Sequence, residues 1–292
     1  MINGVSASQV YLPQLDNHPT SIYEYLINQF PHINQVEWQQ RFKNQLIIDE
    51  AGNYLTIQTP YIAGTHIYYY RFLDHEVHVP FYEKILFENE HLLVVDKPHF
   101  LTISPSGQYL QETLLVRLKK ATNNPDLTPI HRLDRETAGV VLISKKPETR
   151  GVYQQMFAER KVHKIYEAIA PYRPELNFPL TVEVCMQKGQ PFYTMQIMEG
   201  KVNSKTEINL IEHDQIWARY LLKPETGKQH QLRVHLNHLG IAIKNDPFYP
   251  KVQHKKNDDF SQPLQLLARE ISFFDPVTFN QMSFCSDQKL TL

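Results

Sequence analysis

The chain has 292 residues and a formal net charge of −1, with 42% hydrophobic and 21% charged residues, 10 Gly and 19 Pro. This composition fits one large or two modest soluble domains with a hydrophobic core and excludes a disordered tail. Apolar runs such as 92–95 and 139–143 fall far short of the ~20 residues a membrane-spanning helix needs, and no basic residue precedes Arg41, so neither a span nor a secretory leader is expected and the expected compartment is the cytoplasm.

Residues 20–30 place Ile22, Tyr25, Leu26 and Phe30 near helical spacing up to Pro31, and Val36, Trp38 and Phe42 form a second short helical pattern. Segments 46–48, 55–57 and 65–72 read as strands, separated by Gly52-Asn53 and by 60–64. These elements predict a small helix-then-strand module over 1–80, with a linker at 75–80 where charge and Pro cluster, followed by a larger domain over 81–292. In the larger domain, 92–95 reads as a buried strand and 112–120 as a helix with Leu114, Leu115 and Leu118 inward. Next come a second buried strand at 139–144, a helix at 151–159 and an extended run at 164–170. Four more strand-like runs, at 182–186, 194–197, 206–210 and 218–222, are spaced like an antiparallel meander. Leu232, Leu236 and Leu239 mark a helix that Gly240 stops. The expected fold class is α+β, built on a mixed, mainly antiparallel sheet.

The near-zero net charge hides an asymmetry. Residues 1–96 carry 4 basic and 11 acidic side chains, hence −7, and the remainder carries 26 and 20, hence +6. Segment 223–256 holds seven Lys or Arg against Glu225 and Asp246, with His230, His235, His238 and His254, and reads either as a phosphate-binding face or as a solvated surface. If it is a phosphate-binding face, affinity for a phosphate-bearing partner is expected to rest on this stretch, Lys255 and Lys256 included, and not on the acidic first module. Cys185 and Cys285 are too far apart for a CxxC site and too few for a disulfide framework, and are expected as buried thiols.

Two clusters could carry chemistry. His131-Arg132-Leu133-Asp134-Arg135 lies between Pro129 and the strand at 139–144, in the kind of loop that holds catalytic groups. Arg132 and Arg135 bracket Asp134, and cations favour the ionised carboxylate that a nucleophile or base needs. A structural ion pair in a turn would present the same pattern. The second cluster is GKQHQLRVH at 227–235, where Arg233 can project from the edge of the Leu stripe toward a cleft. His230, His235 and His238 also admit a metal reading, although their spacing matches no HExxH-type pattern and no cysteine assists.

Together with three further stretches, these clusters resemble the RluA family of pseudouridine synthases. HRLDRETAG at 131–139 resembles the family's catalytic motif, VVDKP at 94–98 its first motif, and KIYEA at 164–168 its Lys-x-Tyr-x-Ala motif. Residues 226–235, followed by Leu239-Gly240 and Asp246, resemble its Gly-Arg-Thr-His-Gln-Ile-Arg-Val-His motif, and order and spacing agree over about 83–275. Four departures stand out: Ala138 for Ser, Lys228-Gln229 for Arg-Thr, Asn245 for the Gly before Asp246, and His99-Phe100 for Ala-Gly after Lys-Pro. None removes an expected catalytic group. The first module is more distantly similar to a small RNA-binding module shared with a small-subunit ribosomal protein, through Ile22, Leu26, Phe30, Trp38 and Arg41, with Asn34-Gln35 where Ser-Arg is usual.

The resemblance implies a pseudouridine synthase catalytic domain acting on ribosomal or transfer RNA. Asp134 would attack or deprotonate the sugar, Arg233 would pair with Asp134, and Tyr166 would stack on the uracil and help in proton transfer. Arg132 would fill the space left by the flipped uridine. His131, Lys97, Lys228, His230 and Gln231 are the other expected substrate or RNA contacts, with a structural role as the alternative for Lys97. The reaction is an isomerisation without redox, so no cofactor and no metal are expected, and the partner is RNA, with no membrane and a monomeric enzyme. Two alternatives remain: a non-catalytic RNA-binding protein of the same fold, and a metal-dependent hydrolase using the three histidines.

Overall fold

In the computed structural model, which describes residues 2–73, 75–253, 256 and 258–292, the chain divides into two compact units. The first comprises Met1–Glu76 and Pro105–Gln111, and the second comprises Val77–Ser104 and Glu112–Leu292.

The first unit contains β1 (Ser8–Tyr11), α1 (Ile22–Gln29), α2 (Gln35–Lys43), β2 (Ile47–Asp49) and β3 (His66–Tyr69). Ser21 caps α1 by accepting from the Glu24 N–H, and Asn34 caps α2 by accepting from the Val36 N–H. The substituted Asn34 thus performs the capping that a Ser would perform. Both helices lay their apolar stripes, Ile22, Tyr25, Leu26, Trp38 and Phe42, against Leu12, Ile47, Leu55 and Ile67 over the antiparallel sheet β1-β3-β2.

Trp38 is fully buried, and the Arg41 guanidinium sits 4.7 Å from its ring centroid, so both belong to the core and not to an RNA-gripping surface. The strand expected at 55–57 does not form. The Asp49 carboxylate accepts the Ala51 and Asn53 N–H groups and turns the chain, leaving Tyr54 one bridge to Ile48 before a further turn at Thr56–Thr59. Conversely β1 was not expected, because four half-buried residues give little periodic signal. Residues 105–111 join this unit through Arg71, which donates to the Gly107 carbonyl, and Glu76, which accepts from the Leu110 and Gln111 N–H groups.

The second unit contains β4 (Lys84–Glu88), β5 (Leu92–Lys97), α3 (Leu114–Thr122), β6 (Thr128–Pro129), β7 (Ala138–Ser144), α4 (Pro147–Ala158), β8 (Val162–Pro171), β9 (Leu180–Lys188), β10 (Met195–Met198), β11 (Ser204–His213), β12 (Trp217–Pro224), α5 (Gln231–His238), β13 (Leu266–Phe274) and β14 (Gln281–Cys285). One sheet runs β10-β9-β11-β12-β8-β13-β7-β5-β4, with β14 on β13 and β6 on β7. Its pairs are antiparallel except β7–β13, so the sheet is mixed and mainly antiparallel as expected.

The central strand β13 escaped the sequence reading, because an irregularity in its pairing with β8 between Ala268 and Glu270 breaks its apolar alternation. Helices α4 and α5 pack on the face of this sheet that carries Val162, Tyr166 and Ala168: α5 lays Leu232 and Leu236 on Ala168, Tyr220 and Leu222, and α4 lays Tyr153 and Met156 against Val140, Leu142 and Val162. Cys185 is buried as expected, but Cys285 is exposed on β14.

Candidate active site

The loop before β7 owes its position to a close strand approach. Gly139 has φ +115° and pairs with Ala268 of β13, and a Cβ there would lie 2.2 Å from the Ala268 carbonyl oxygen. Only glycine admits this parallel pairing.

The loop's own backbone is then held from several sides. His131 Nε2 accepts from the Leu142 N–H at 3.1 Å while its ring stacks on Phe157 at 4.6 Å. The Thr137 N–H donates to the Asp134 carbonyl at 3.1 Å. His99 Nδ1 donates to the Glu136 carbonyl at 2.7 Å, and Lys97 Nζ donates to the carbonyls of Pro98, Leu101 and Arg135 at 3.0, 2.8 and 3.2 Å. Burial, and then the charge of Lys164, lowers the His131 pKa to about 3, and burial lowers that of His99 to about 4, so both rings are neutral.

Lys97 is fully buried, and burial lowers its pKa to about 7 against the pull of Glu136 and Asp134. Its donors are spent on backbone carbonyls, which overturns the expected phosphate contact and leaves the structural role. The neighbouring departures also find their reason. Phe100 has φ +66° and Asn245 φ +65°, both in the left-handed region that a glycine would occupy freely. Phe100 is held there by packing on Phe260 at 5.3 Å and under the Arg135 guanidinium at 5.7 Å, and Asn245 by donating to the Pro263 carbonyl at 3.1 Å.

The cation facing Asp134 comes from 99 positions away. Arg233 Nη1 lies 3.2 Å from Asp134 Oδ2, while its Nε and Nη2 donate to Asp246 at 2.8 and 2.7 Å. Asp246 in turn accepts from the N–H groups of Phe248 and Tyr249. Burial opposes the charge of Arg233, but the Asp246 hydrogen bonds and the carboxylates of Asp246 and Asp134 outweigh it and hold the guanidinium firmly protonated. Asp246 is the partner that sequence reasoning did not place in the site; its position in the last motif was the only signal.

His230, at φ +53° before α5, brings Nε2 to 3.8 Å from Asp134 Oδ2 and shares a 2.9 Å hydrogen bond between Nδ1 and the Tyr249 hydroxyl. Gln231 is also buried: its Oε1 accepts from Thr226 Oγ1 and the Lys228 N–H, and its Nε2 donates to the Lys205 carbonyl and Thr206 Oγ1. With all its capacity used within the protein, Gln231 shapes the loop before α5 and does not contact RNA, contrary to expectation. His235 points away, to Ser204 Oγ at 3.0 Å, so the three histidines do not converge. Among the described residues no group of His, Cys, Asp and Glu is arranged to hold a metal ion.

Tyr166, on β8, completes the group. Burial, and then the Asp134 carboxylate, push its phenol well above the ordinary tyrosine value, so it stays a neutral ring. Asp134, Tyr166, Arg233, Arg132, His131, Lys228 and His230 all line one cavity of about 1360 Å³. That exceeds the roughly 300–1,000 Å³ of a small-ligand pocket and suits a stretch of polymer.

The charged lining comprises Arg132, Arg160, Lys164, Lys188, Lys201, Lys228 and Arg233 against Asp134 and Glu225. This corrects the expectation that 223–256 supplies the basic face. Of its six cations among the described residues, Lys228 and Arg233 line the cavity; Lys223 pairs with Glu207, Lys244 lies 4.7 Å from the Trp217 ring centroid, and Lys251 lines a separate cavity. His254 and Lys255 lie outside the described residues, and Lys256 is exposed. Among the described residues no helix is long and apolar enough to cross a membrane.

Comparison with known proteins agrees with this geometry. A family model described as RNA pseudouridylate synthase matches residues 91–238. The dual-specificity RNA pseudouridine synthase RluA of Vibrio parahaemolyticus is 32% identical over 211 residues, 66% of this chain and 78% of its own. The mitochondrial tRNA pseudouridine(32) synthase of Saccharomyces cerevisiae is 32% identical over 174 residues, 57% of this chain and 37% of its own. The solved structure of human RNA pseudouridylate synthase domain containing 1 superposes with a TM-score of 0.58 at 24% identity, covering 71% of this chain and 84% of that one, which shows the same fold. The chain belongs to the RluA family of RNA pseudouridine synthases.

Proposed function

We propose that this enzyme isomerises specific uridines of ribosomal or transfer RNA with Asp134 as the reacting carboxylate, Arg233 as its counter-ion and Tyr166 as the surface on which the uracil stacks. The reaction breaks the N1–C1′ bond, turns the base and joins C5 to C1′, after which the C5 proton leaves to solvent and N1 takes up a proton. Nothing is oxidised or reduced. Asp134 opens the sequence by attacking or deprotonating the sugar, and the fixed Arg233 keeps it charged and aimed. A neutral Tyr166 suits a stacking role and argues against its acting as a base at neutral pH. The exposed Arg132 can enter the stack as the uridine leaves it, and Lys228 and its basic neighbours in the lining can take phosphates.

The observation that carries the reading is the Asp134–Arg233–Asp246 array at one end of a cation-lined cavity. Free Cys185 and Cys285 suit a reducing compartment such as the cytoplasm. Relatives named for action on transfer RNA and on the ribosomal large subunit support both substrate classes. Tritium release from RNA containing 5-tritiated uridine tests the chemistry, and pseudouridine mapping in a deletion strain identifies the RNA. Absence of release from both RNA classes would overturn the proposal.

A further inference from the structure

The turn between β9 and β10 puts a large aromatic side chain into water at the edge of the cavity. Phe192 is 77% exposed, yet its turn is tightly built. The Thr194 N–H and Oγ1 both donate to the Pro191 carbonyl, at 2.8 and 2.7 Å, and the Gly189 N–H donates to the Thr194 carbonyl at 2.9 Å. Just beyond, the Met195 N–H donates to the Tyr249 hydroxyl at 2.8 Å, the same hydroxyl that meets His230. The turn is therefore tied to the catalytic residues, and Phe192 is exposed on a fixed support.

From Phe192 a run of rings leads inward. Its ring centroid lies 5.5 Å from that of Tyr193, Tyr193 lies 5.4 Å from Phe248, and Phe248 lies 5.4 Å from His230, which faces Asp134. Lys188 opens this turn and Lys201 follows β10; both line the same cavity, both are exposed, and neither forms an ion pair among the described residues. An exposed ring on a rigid turn, in a cavity lining that also carries two uncompensated cations, matches what an unpaired nucleotide needs: a face for its base and charge for its phosphates.

We propose that Phe192 is a stacking platform for an unpaired base flanking the target uridine, with Lys188 and Lys201 neutralising the adjoining phosphates. This rests on the reading of the cavity as the RNA site. The flanking base is recognised by stacking, which tolerates any base, so the contact sets affinity and the path of the strand and leaves sequence readout elsewhere.

Binding of end-labelled dodecauridylate by the full chain, followed by fluorescence anisotropy across a salt series, tests it. Phe192→Ala is expected to weaken binding roughly 5- to 150-fold, the range for loss of one base–aromatic stack, with the salt slope unchanged. Phe192→Trp should retain wild-type affinity within about twofold, since it offers an equivalent face. Lys188→Gln with Lys201→Gln should flatten the slope by about 1.4 log units per decade of salt, for two single-strand phosphates. Equal affinity of Phe192→Ala and wild type, or no binding by wild type, overturns the inference. Turnover measured in parallel judges the functional reading separately: a wild type that grips the oligonucleotide through Phe192 but isomerises no uridine supports this contact and refutes that reading.

Discussion

Asp134 and Asp246 share one guanidinium, and the two ends of that contact differ in burial. The Asp246 side chain is fully buried, whereas the Asp134 side chain is 28% exposed toward the cavity. Asp246 therefore fixes Arg233, and Arg233 presents one remaining nitrogen to a carboxylate that can reach substrate. Asp134→Asn keeps the shape of the side chain and should abolish tritium release while the circular dichroism spectrum and melting temperature stay near wild type. Turnover near wild type, in protein free of endogenous enzyme, would remove Asp134 from the chemistry. Arg233→Leu leaves two carboxylates without a counter-ion, and breaking a buried pair from one side costs ~3–5 kcal/mol. Urea denaturation should show that loss along with inactivity. Arg233→Lys restores the charge but not the three-pronged fork, so it should recover part of the stability and little of the activity.

Among the secondary-structure elements, the parallel junction of β7 and β13 sets the loop that carries Asp134. Adding a methyl at Gly139 meets backbone atoms of Ala268 that cannot move without moving β13. Gly139→Ala should therefore destabilise the protein by ~1–3 kcal/mol for the disallowed φ and by a further ~1–3 kcal/mol for overpacking. It should also lower kcat, because the loop carrying Asp134 begins its strand there. Gly52→Ala, at a positive-φ turn with open space around it, should show only the conformational part of the loss and normal kcat. Equal effects at the two glycines would show that the strand junction does not position the loop. Strand β13 itself was illegible in the sequence, since a local irregularity disrupts the alternation by which strands are recognised.

For the whole molecule, pH and charge placement matter most. His99, His131 and His235 have pKa values lowered to about 4, 3 and 4, in each case chiefly by burial. A histidine in the unfolded chain titrates near 6.5, so below that pH the unfolded state takes up protons that the folded rings refuse. Their contribution is complete above about pH 6.5 and is lost as pH falls toward 4, at up to ~1.4 kcal/mol per pH unit for each ring. Urea midpoints from pH 7.5 to 4.5 should fall steeply, and His235→Gln should reduce the slope; the same slope in both proteins would refute the assignment.

Charge reversal tests the electrostatics at the same scale. Arg160→Glu and Lys228→Glu, both in the cavity lining, should weaken RNA binding and flatten its salt dependence by ~0.7 log units per lost single-strand phosphate contact. Lys223→Glu, at a cation already paired with Glu207, should leave both nearly unchanged. A greater effect from Lys223 would return the RNA to the 223–256 surface.

The order of motifs along the chain determined the family and the α+β class, and singled out Asp134 as the proposed reacting carboxylate, because each depends on local residue types at fixed spacing. The α1 and α2 stripes, the buried runs of β5 and β7 and the stop at Gly240 were legible for the same reason: periodicity and turn chemistry are local. Tertiary structure alone decided which groups meet. It paired Arg233 with Asp246, withdrew Lys97 and Gln231 from the RNA, and drew Arg160, Lys164, Lys188 and Lys201 from separate strands and loops into one lining. A contiguous run of lysines can point in several directions, whereas cations distant in the chain converge when their strands pair. Charge in a sequence is counted along the chain, but the field at a site depends on distance through space.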